Sequence, residues 1–450
     1  MCKLINLIKV PIFKYNKDDR MQGLKIIFIT AAAIILLMCR PGTFARDRNE
    51  SRLDTAKILI AEEKYGESLA VLDSILIDDS TNVGSLYCRS LCYRALSDYQ
   101  KASRDLSKAL IYKPDDLKLM ISLGDNLSAA GRLSRAEEIL SKAFSIDSVN
   151  RVVLISLGKV LMQKHEWIKA VKIYNRLIRT DSTNSFFYEQ AGKCCILLED
   201  TGNAVIDLQV AHRLNPFNER TILELSVLYY AKNQFVSAMH IVDDGLAVYP
   251  ESAGIWTKKG DIYLGMKKYG DAVNCYGNSL RYGDSSDVNF RNCGLCYYFT
   301  GKYDSAVAFL SNATKLNKKD PTSFFYLGAS FKELNDYNKA IENLFAALNL
   351  LKSDYISEVY TQLASSYYLI KNYEKSLEFY KDALKENPKK FELNFYLAAV
   401  YEHYYKDKSV AMNYYKKFLS DSSRADKKLV AYAKDRIDII TENNFMNNKK

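Results

Sequence analysis

The sequence predicts an all-α chain, built as a solenoid of about eleven 34-residue helix-turn-helix repeats and closed by a C-terminal capping helix. Three observations carry that prediction. A small residue returns every 34 positions at Ser68, Ala102, Ala136, Ala170, Ala204, Ala238, Ala272, Ala306 and Ala340, without slippage. Four positions after each stands a large apolar residue: Leu72, Leu106, Leu140, Tyr174, Leu208, Val242, Tyr276, Leu310 and Leu344. Twelve positions before, glycine occupies Gly124, Gly158, Gly192, Gly260, Gly294 and Gly328. A fixed period of this length marks an array in which each unit buries its apolar face on the next.

Taken in order, the first element is a leader over residues 1–45. Leu24 to Cys39 is a nearly unbroken apolar run of 16 residues with Lys25 near its start. A full membrane span needs roughly 20, so the run suits the core of a signal peptide. Pro41 and Gly42 break any helix, and Thr43-Phe44-Ala45 sets small residues for cleavage after Ala45. Lipidation at Cys39 and a retained anchor stay open as alternatives, as does Met21 as the true start. Each of them sends the rest of the chain out of the cytoplasm, into the periplasm or cell envelope.

The repeats occupy residues 49–423, with copies starting near Asn49, Val83, Leu117, Arg151, Ser185, Glu219, Ala253, Asp287, Pro321, Ser357 and Phe391. Pro114, Pro216, Pro250 and Pro388 fall where a second helix should stop. Later copies drift: Ser376 comes 36 residues after Ala340, and Ala411 comes 35 after Ser376. Residues 424–441 hold Leu429, Val430, Ala433, Ile437 and Ile440 at helical spacing, an amphipathic cap for the open end. Residues 442–450 read as a frayed tail.

One copy shows the pattern best: Trp256, Gly260, Tyr263, Ala272 and Tyr276, with Lys259 in place of the usual Leu and Asp284 in place of the proline. In these residues and the period, the chain resembles the tetratricopeptide repeat family, in an exported bacterial form. The resemblance implies a continuous right-handed superhelix, in which the glycine of each first helix faces the small residue of the second. It also implies a concave groove lined by positions 2, 5, 9, 12 and 13 of the first helices. Carried over, these are Tyr87, Leu91 and Arg94, then Ile121, Asp125, Ile155, Lys159 and Met162, then Phe186, Glu189, Lys193 and Ile196. Leu223, Val227, Tyr230, Arg291, Leu295, Tyr298, Phe325, Tyr368 and Phe395 follow. Family members that clamp a C-terminal carboxylate pair Lys at position 5 with Asn at position 9; here Arg291 is followed by Leu295, and no copy carries that pair.

Composition and charge narrow the function. The net charge is +10, but residues 1–45 hold seven bases against two acids, so about half of the excess sits in the leader. The remainder has no clustered basic stripe of the kind nucleic acid requires. Beyond the leader stand seven cysteines: Cys88, Cys92, Cys194, Cys195, Cys275, Cys293 and Cys296. Cys293 and Cys296 spell C-x-x-C, yet within a helical repeat and without a second pair or a nearby histidine. The reading is buried apolar thiols, with a Cys275–Cys293 bridge as the alternative. His165, His212, His240 and His403 share no spacing that converges on a metal or nucleophile, and no phosphate loop or nucleophile elbow interrupts the repeats. The expectation is therefore no enzyme, no cofactor and no metal. What remains is a scaffold of the bacterial cell envelope that holds segments of one or more envelope proteins in an apolar, aromatic-dotted groove, with membrane association possible through the leader. A glycan-binding lipoprotein, using Tyr298, Phe325 or Tyr368 to stack on sugars, and a non-catalytic subunit of an envelope enzyme complex stand as alternatives.

Overall fold

The computed structural model describes residues 48–351, 355–421 and 425–447, and the leader with its Ala45 and Cys39 lies outside the described residues. The described residues form twenty-three α-helices and no strand, in two compact units that meet in sequence between Leu214 and Asn215. The first unit holds α1 (Arg48–Ala61), α2 (Tyr65–Asp78), α3 (Val83–Ala95), α4 (Tyr99–Tyr112), α5 (Leu117–Ala129), α6 (Leu133–Ile146), α7 (Arg151–Gln163), α8 (Trp167–Thr180), α9 (Ser185–Leu197) and α10 (Thr201–Leu214). The second holds α11 (Glu219–Ala231), α12 (Phe235–Val248), α13 (Ala253–Gly265), α14 (Tyr269–Arg281), α15 (Asp287–Phe299), α16 (Tyr303–Leu316) and α17 (Pro321–Glu333). It continues with α18 (Tyr337–Leu350), α19 (Ile356–Leu369), α20 (Tyr373–Glu386), α21 (Glu392–Tyr404), α22 (Ser409–Ser420) and α23 (Lys427–Asn447). The last helix runs on into the expected tail, because no proline or glycine interrupts Thr441 to Asn447.

Each odd-numbered helix from α1 to α21 packs chiefly on the helix that follows it, making the pair one repeat. The repeating alanines from Ala102 to Ala340 and the large residues four positions later are completely buried. The close approach has a different partner from the expected one. A Cβ on Gly124 would lie 2.5 Å from Leu140 Cγ, and one on Gly294 would lie 2.6 Å from Leu310 Cγ. The same register sets Gly158 against Tyr174, Gly192 against Leu208, Gly260 against Tyr276 and Gly328 against Leu344. Glycine thus faces the large side chain one turn beyond the alanine, whose carbonyl is only a secondary neighbour at Gly192 and Gly328. The reason is helix geometry: the alanine lets the backbones approach, and the side chain one turn on then fills the space that the glycine leaves.

Both ends of the pairs are sealed by backbone chemistry. First helices start on a side-chain cap at Asn82, Asp116, Asn150, Asn184, Asn218, Ser252, Ser286 and Asp320. They end in a left-handed residue in ten successive copies: Glu63, Ser97, Gly131, His165, Glu199, Asn233, Lys267, Gly301, Asn335 and Lys371. At the second copy Ser97 N donates to Arg94 O and Asp98 N to Tyr93 O, the paired bonds that close a Schellman turn. Asp284, standing where proline was expected, closes its own connection instead. Its carboxylate accepts from Thr257 Oγ1 at 2.8 Å and from Ser286 N at 3.1 Å, while its carbonyl accepts from Asn289 Nδ2.

Two buried tyrosines at equivalent positions differ in how their hydroxyls are bonded. Tyr276 donates its hydroxyl to Asp261 Oδ1 at 2.9 Å and accepts from Asn292 Nδ2 at 3.4 Å, whereas the Tyr174 hydroxyl is buried without a partner. A buried polar group left unpaired costs about 1–3 kcal/mol. Tyr174→Phe is therefore expected to hold or raise the denaturant midpoint, and Tyr276→Phe to lower stability by about 1–2 kcal/mol. Equal losses in both would show that the Tyr174 hydroxyl is not an orphan.

Candidate functional site

The first helices of successive pairs also approach one another: α1 and α3 and α5 and α7 in the first unit, and α11, α13, α15, α17 and α19 in turn in the second. They form an inner row in each unit, and each turns one face away from its own partner. That face is an i, i+4, i+7 stripe, one side of a 3.6-residue period. In α11 it consists of Leu223, Val227 and Tyr230, flanked by buried Ile222, Leu225, Leu228 and Tyr229. Val227 is 45% exposed and Tyr230 37%. Tyr87, Leu91 and Arg94 make the stripe of α3, Ile155, Lys159 and Met162 that of α7, and Arg291, Leu295 and Tyr298 that of α15.

Of the twenty-one groove positions read from the sequence, nineteen, among them Phe186, Lys193, Phe325 and Tyr368, are not buried. Glycine lets neighbouring stripes close up: a Cβ on Gly265 would meet the Tyr230 ring at 2.7 Å, and one on Gly254 would touch Leu223 at 3.6 Å. Tyr230 also meets Phe235 edge-on at 5.8 Å between ring centres. Charges on the face are partly engaged. Lys118 sits over the Tyr87 ring at 4.3 Å, and Arg291 pairs with Asp320 at 3.5 Å. The other two positions read from the family pattern are closed. Glu189 is buried, and Phe395 is covered by Tyr415, Phe418 and Tyr432, the last of these carried by α23.

The sequence reading missed a concavity built with the last helix. A cavity of about 470 Å³ lies at the C-terminal end of the inner row in the second unit, lined by Ser365, Tyr368, Tyr380, Phe395, Tyr396, Ala399, Val400, Lys428, Leu429 and Tyr432. Its wall from α23 falls outside the 34-residue period, so no repeat position pointed to it.

The nucleophilic and titratable groups are placed differently. All seven cysteines are buried as separate thiols, Cys275 and Cys293 included. Burial pushes Cys194, Cys293 and Cys296 up to about 12 and Cys195 and Cys275 up to about 11, which opposes the thiolate form that attack or metal binding needs. His165 meets Trp167 edge-on, His240 pairs with Asp244 at 3.0 Å, and His403 stacks on Tyr373. Asp207 is the carboxyl pushed furthest, up to about 6, by burial and then by Asp200. No group of three or more His, Cys, Asp or Glu among the described residues could hold a metal ion.

A family model agrees with the paired-helix repeats. The tetratricopeptide repeat profile matches residues 253–282, 292–320 and 357–390. No curated protein matches the chain. Among solved structures, the APC/C hetero-tetramer Cut9–Hcn1 is similar at 14% identity with a TM-score of 0.43, over 92% of this chain and 94% of that one. A tetratricopeptide repeat protein from Parabacteroides merdae is similar at 16% identity with a TM-score of 0.42, over 56% of this chain and 98% of its own. YrrB, described as having an unusual peptide-binding site, is similar at 19% identity with a TM-score of 0.38, over 41% of this chain and 95% of its own. With identities and TM-scores this low, none of the three speaks to function.

Proposed function

The chain being a tetratricopeptide repeat protein, by its 34-residue period and its three matched segments, we propose that it is a non-catalytic scaffold that takes up segments of partner proteins along the open face of its first helices. The observation that carries this reading is the stripe itself. Leu223, Val227 and Tyr230 stay open beside fully packed neighbours, and exposed apolar area arranged in this way is costly unless a partner covers it. An extended or helical segment, laying alternate apolar side chains between successive first helices, would use it. The apolar leader with its Thr43-Phe44-Ala45 site supports an envelope location for the scaffold and its partners. A glycan partner finds less support. Tyr298 is packed among Phe299, Tyr303 and Tyr326, and Phe325 meets Tyr326 edge-on, so both rings are already engaged with other aromatic side chains.

The test is crosslinking of the tagged full chain in its native host, beside a variant carrying Leu223→Glu and Tyr230→Glu with unchanged helicity. Envelope proteins captured by the native chain and lost from the variant are the expected result. Identical capture by both would remove the central stripe from the binding surface. Recovery of cytoplasmic proteins alone would overturn the location.

A further inference from the structure

The cavity of about 470 Å³ at the C-terminal end of the second unit has a chemistry that selects its occupant. Its floor is aromatic. Tyr380 and Tyr396 stack at 5.6 Å, Phe395 stands edge-on to Tyr396 at 5.7 Å, and Tyr432 closes on Phe395 at 5.8 Å. Tyr380 is 5% exposed and Val400 1%, so the floor is rigid core that needs no rearrangement to receive a ligand. Of the ten lining residues only Lys428 is charged, and it is exposed at the rim. Its ammonium has no acidic partner among the described residues. The neighbouring Asp426 carboxylate accepts from the Lys428 backbone N at 2.8 Å, and Glu402 is taken up by Arg436 and Tyr415. The volume falls in the range of roughly 300–1,000 Å³ typical of ligand sites, enough for one bulky side chain with its flanking backbone.

We propose that this cavity anchors a bulky apolar or aromatic side chain of a partner polypeptide, and that an acidic residue beside that side chain pairs with Lys428. Resting on the protein-binding reading above, it gives that reading a register. Ser365 and Tyr368 of α19 belong both to the cavity and to the inner row of first helices, so a segment lying along the row reaches the cavity directly. A sugar would ask for side chains that hydrogen-bond in the plane of its ring, and carboxylates or amides are missing from the lining. An aliphatic or aromatic group next to an anion meets rings and one ammonium, which are the groups present.

The experiment is fluorescence anisotropy with the full chain and two fluorescein-labelled peptides, Gly-Ser-Asp-Phe-Glu-Gly-Ser and Gly-Ser-Lys-Phe-Lys-Gly-Ser. The acidic peptide is expected to bind about 3-fold or more tightly than the basic one, since the exposed Lys428 ammonium attracts the first and repels the second. Ala399→Trp fills the cavity from a half-buried lining position. It is expected to weaken the acidic peptide about 10-fold or more, as loss of one buried aromatic side chain implies, with helicity and unfolding midpoint unchanged. Lys428→Glu is expected to reverse the order of the two peptides. Binding that survives Ala399→Trp, or an order indifferent to Lys428→Glu, would overturn the cavity. If such binding is instead abolished by Leu223→Glu with Tyr230→Glu, the scaffold stands and the anchor alone falls. Displacement of the acidic peptide by cellobiose would also overturn it, in favour of a carbohydrate site.

Discussion

Ala204→Trp should lower the stability of the first unit by about 3 kcal/mol or more, while Ala204→Ser should cost less than about 1 kcal/mol. Ala204 is completely buried, and its carbonyl lies 3.3 Å from where a Cβ on Gly192 would stand, so α9 and α10 touch there through their backbones. An indole at that point forces the two helices apart and breaks the contact between Leu208 and Gly192. Serine is already accommodated at the same register elsewhere. Ser68 donates its hydroxyl to Ala56 O at 3.0 Å, and Ser376 to Ala364 O at 2.8 Å, each a carbonyl twelve residues earlier. The equivalent acceptor for Ala204→Ser is the carbonyl of Gly192. Denaturant unfolding of the three chains checks this, and equal midpoints for Trp and Ser would contradict the helix pairing.

Arg436→Ala should detach the C-terminal helix. Arg436 Nε donates to Glu402 Oε1 at 2.9 Å, and Tyr415 donates to Glu402 Oε2 at 2.9 Å, so one carboxylate joins α21, α22 and α23. The Glu402 side chain is only 10% exposed. Burial alone would push its carboxyl up, but the bonds from Arg436 and Tyr415 hold it below the usual range. Without Arg436 that charge stays buried with a single neutral donor, a loss of about 3 kcal/mol for a pair so enclosed. Amide hydrogen exchange over residues 427–440 should speed up while α11 to α18 keep their protection. The sign with pH follows from the lowered carboxyl. The stabilisation is complete above the ordinary glutamate range and fades as pH falls through the native value, so the gap between Arg436→Ala and the parent chain should narrow in acid. A gap independent of pH would assign the helix's attachment to Phe395, Tyr415 and Tyr432 alone.

Much of the architecture was legible because it is written in side-chain volume. A 34-residue recurrence of alanine, with glycine twelve residues before and a large residue four after, fixes the helix pairs and their spacing with little ambiguity. What it left undetermined was which side chain the glycine receives, since Ala and Leu one turn apart satisfy the same pattern and only the crossing of the helices chooses between them. The left-handed turns were nearly invisible. Only Gly131 and Gly301 announce them, whereas Glu63, Ser97, His165 and Lys267 hold the same conformation through backbone bonds and not through their identity. The open stripes could be read from family spacing, but the part of the cover over Phe395 that comes from Tyr432 could not, because Tyr432 follows the last repeat. The cavity was hidden for the same reason: its walls come from α19, α20, α21 and α23, and no local motif ties them together.

The buried thiols have one more consequence. They sit in α3, α9, α14 and α15, so each unit carries reporters of its own internal breathing. A thiol reagent in excess can reach Cys88 and Cys92, Cys194 and Cys195, or Cys275, Cys293 and Cys296 only while the helix pair around them is transiently open. The native chain thus comes with a set of clocks, and the rate at which each thiol is consumed measures how often its own part of the array comes apart.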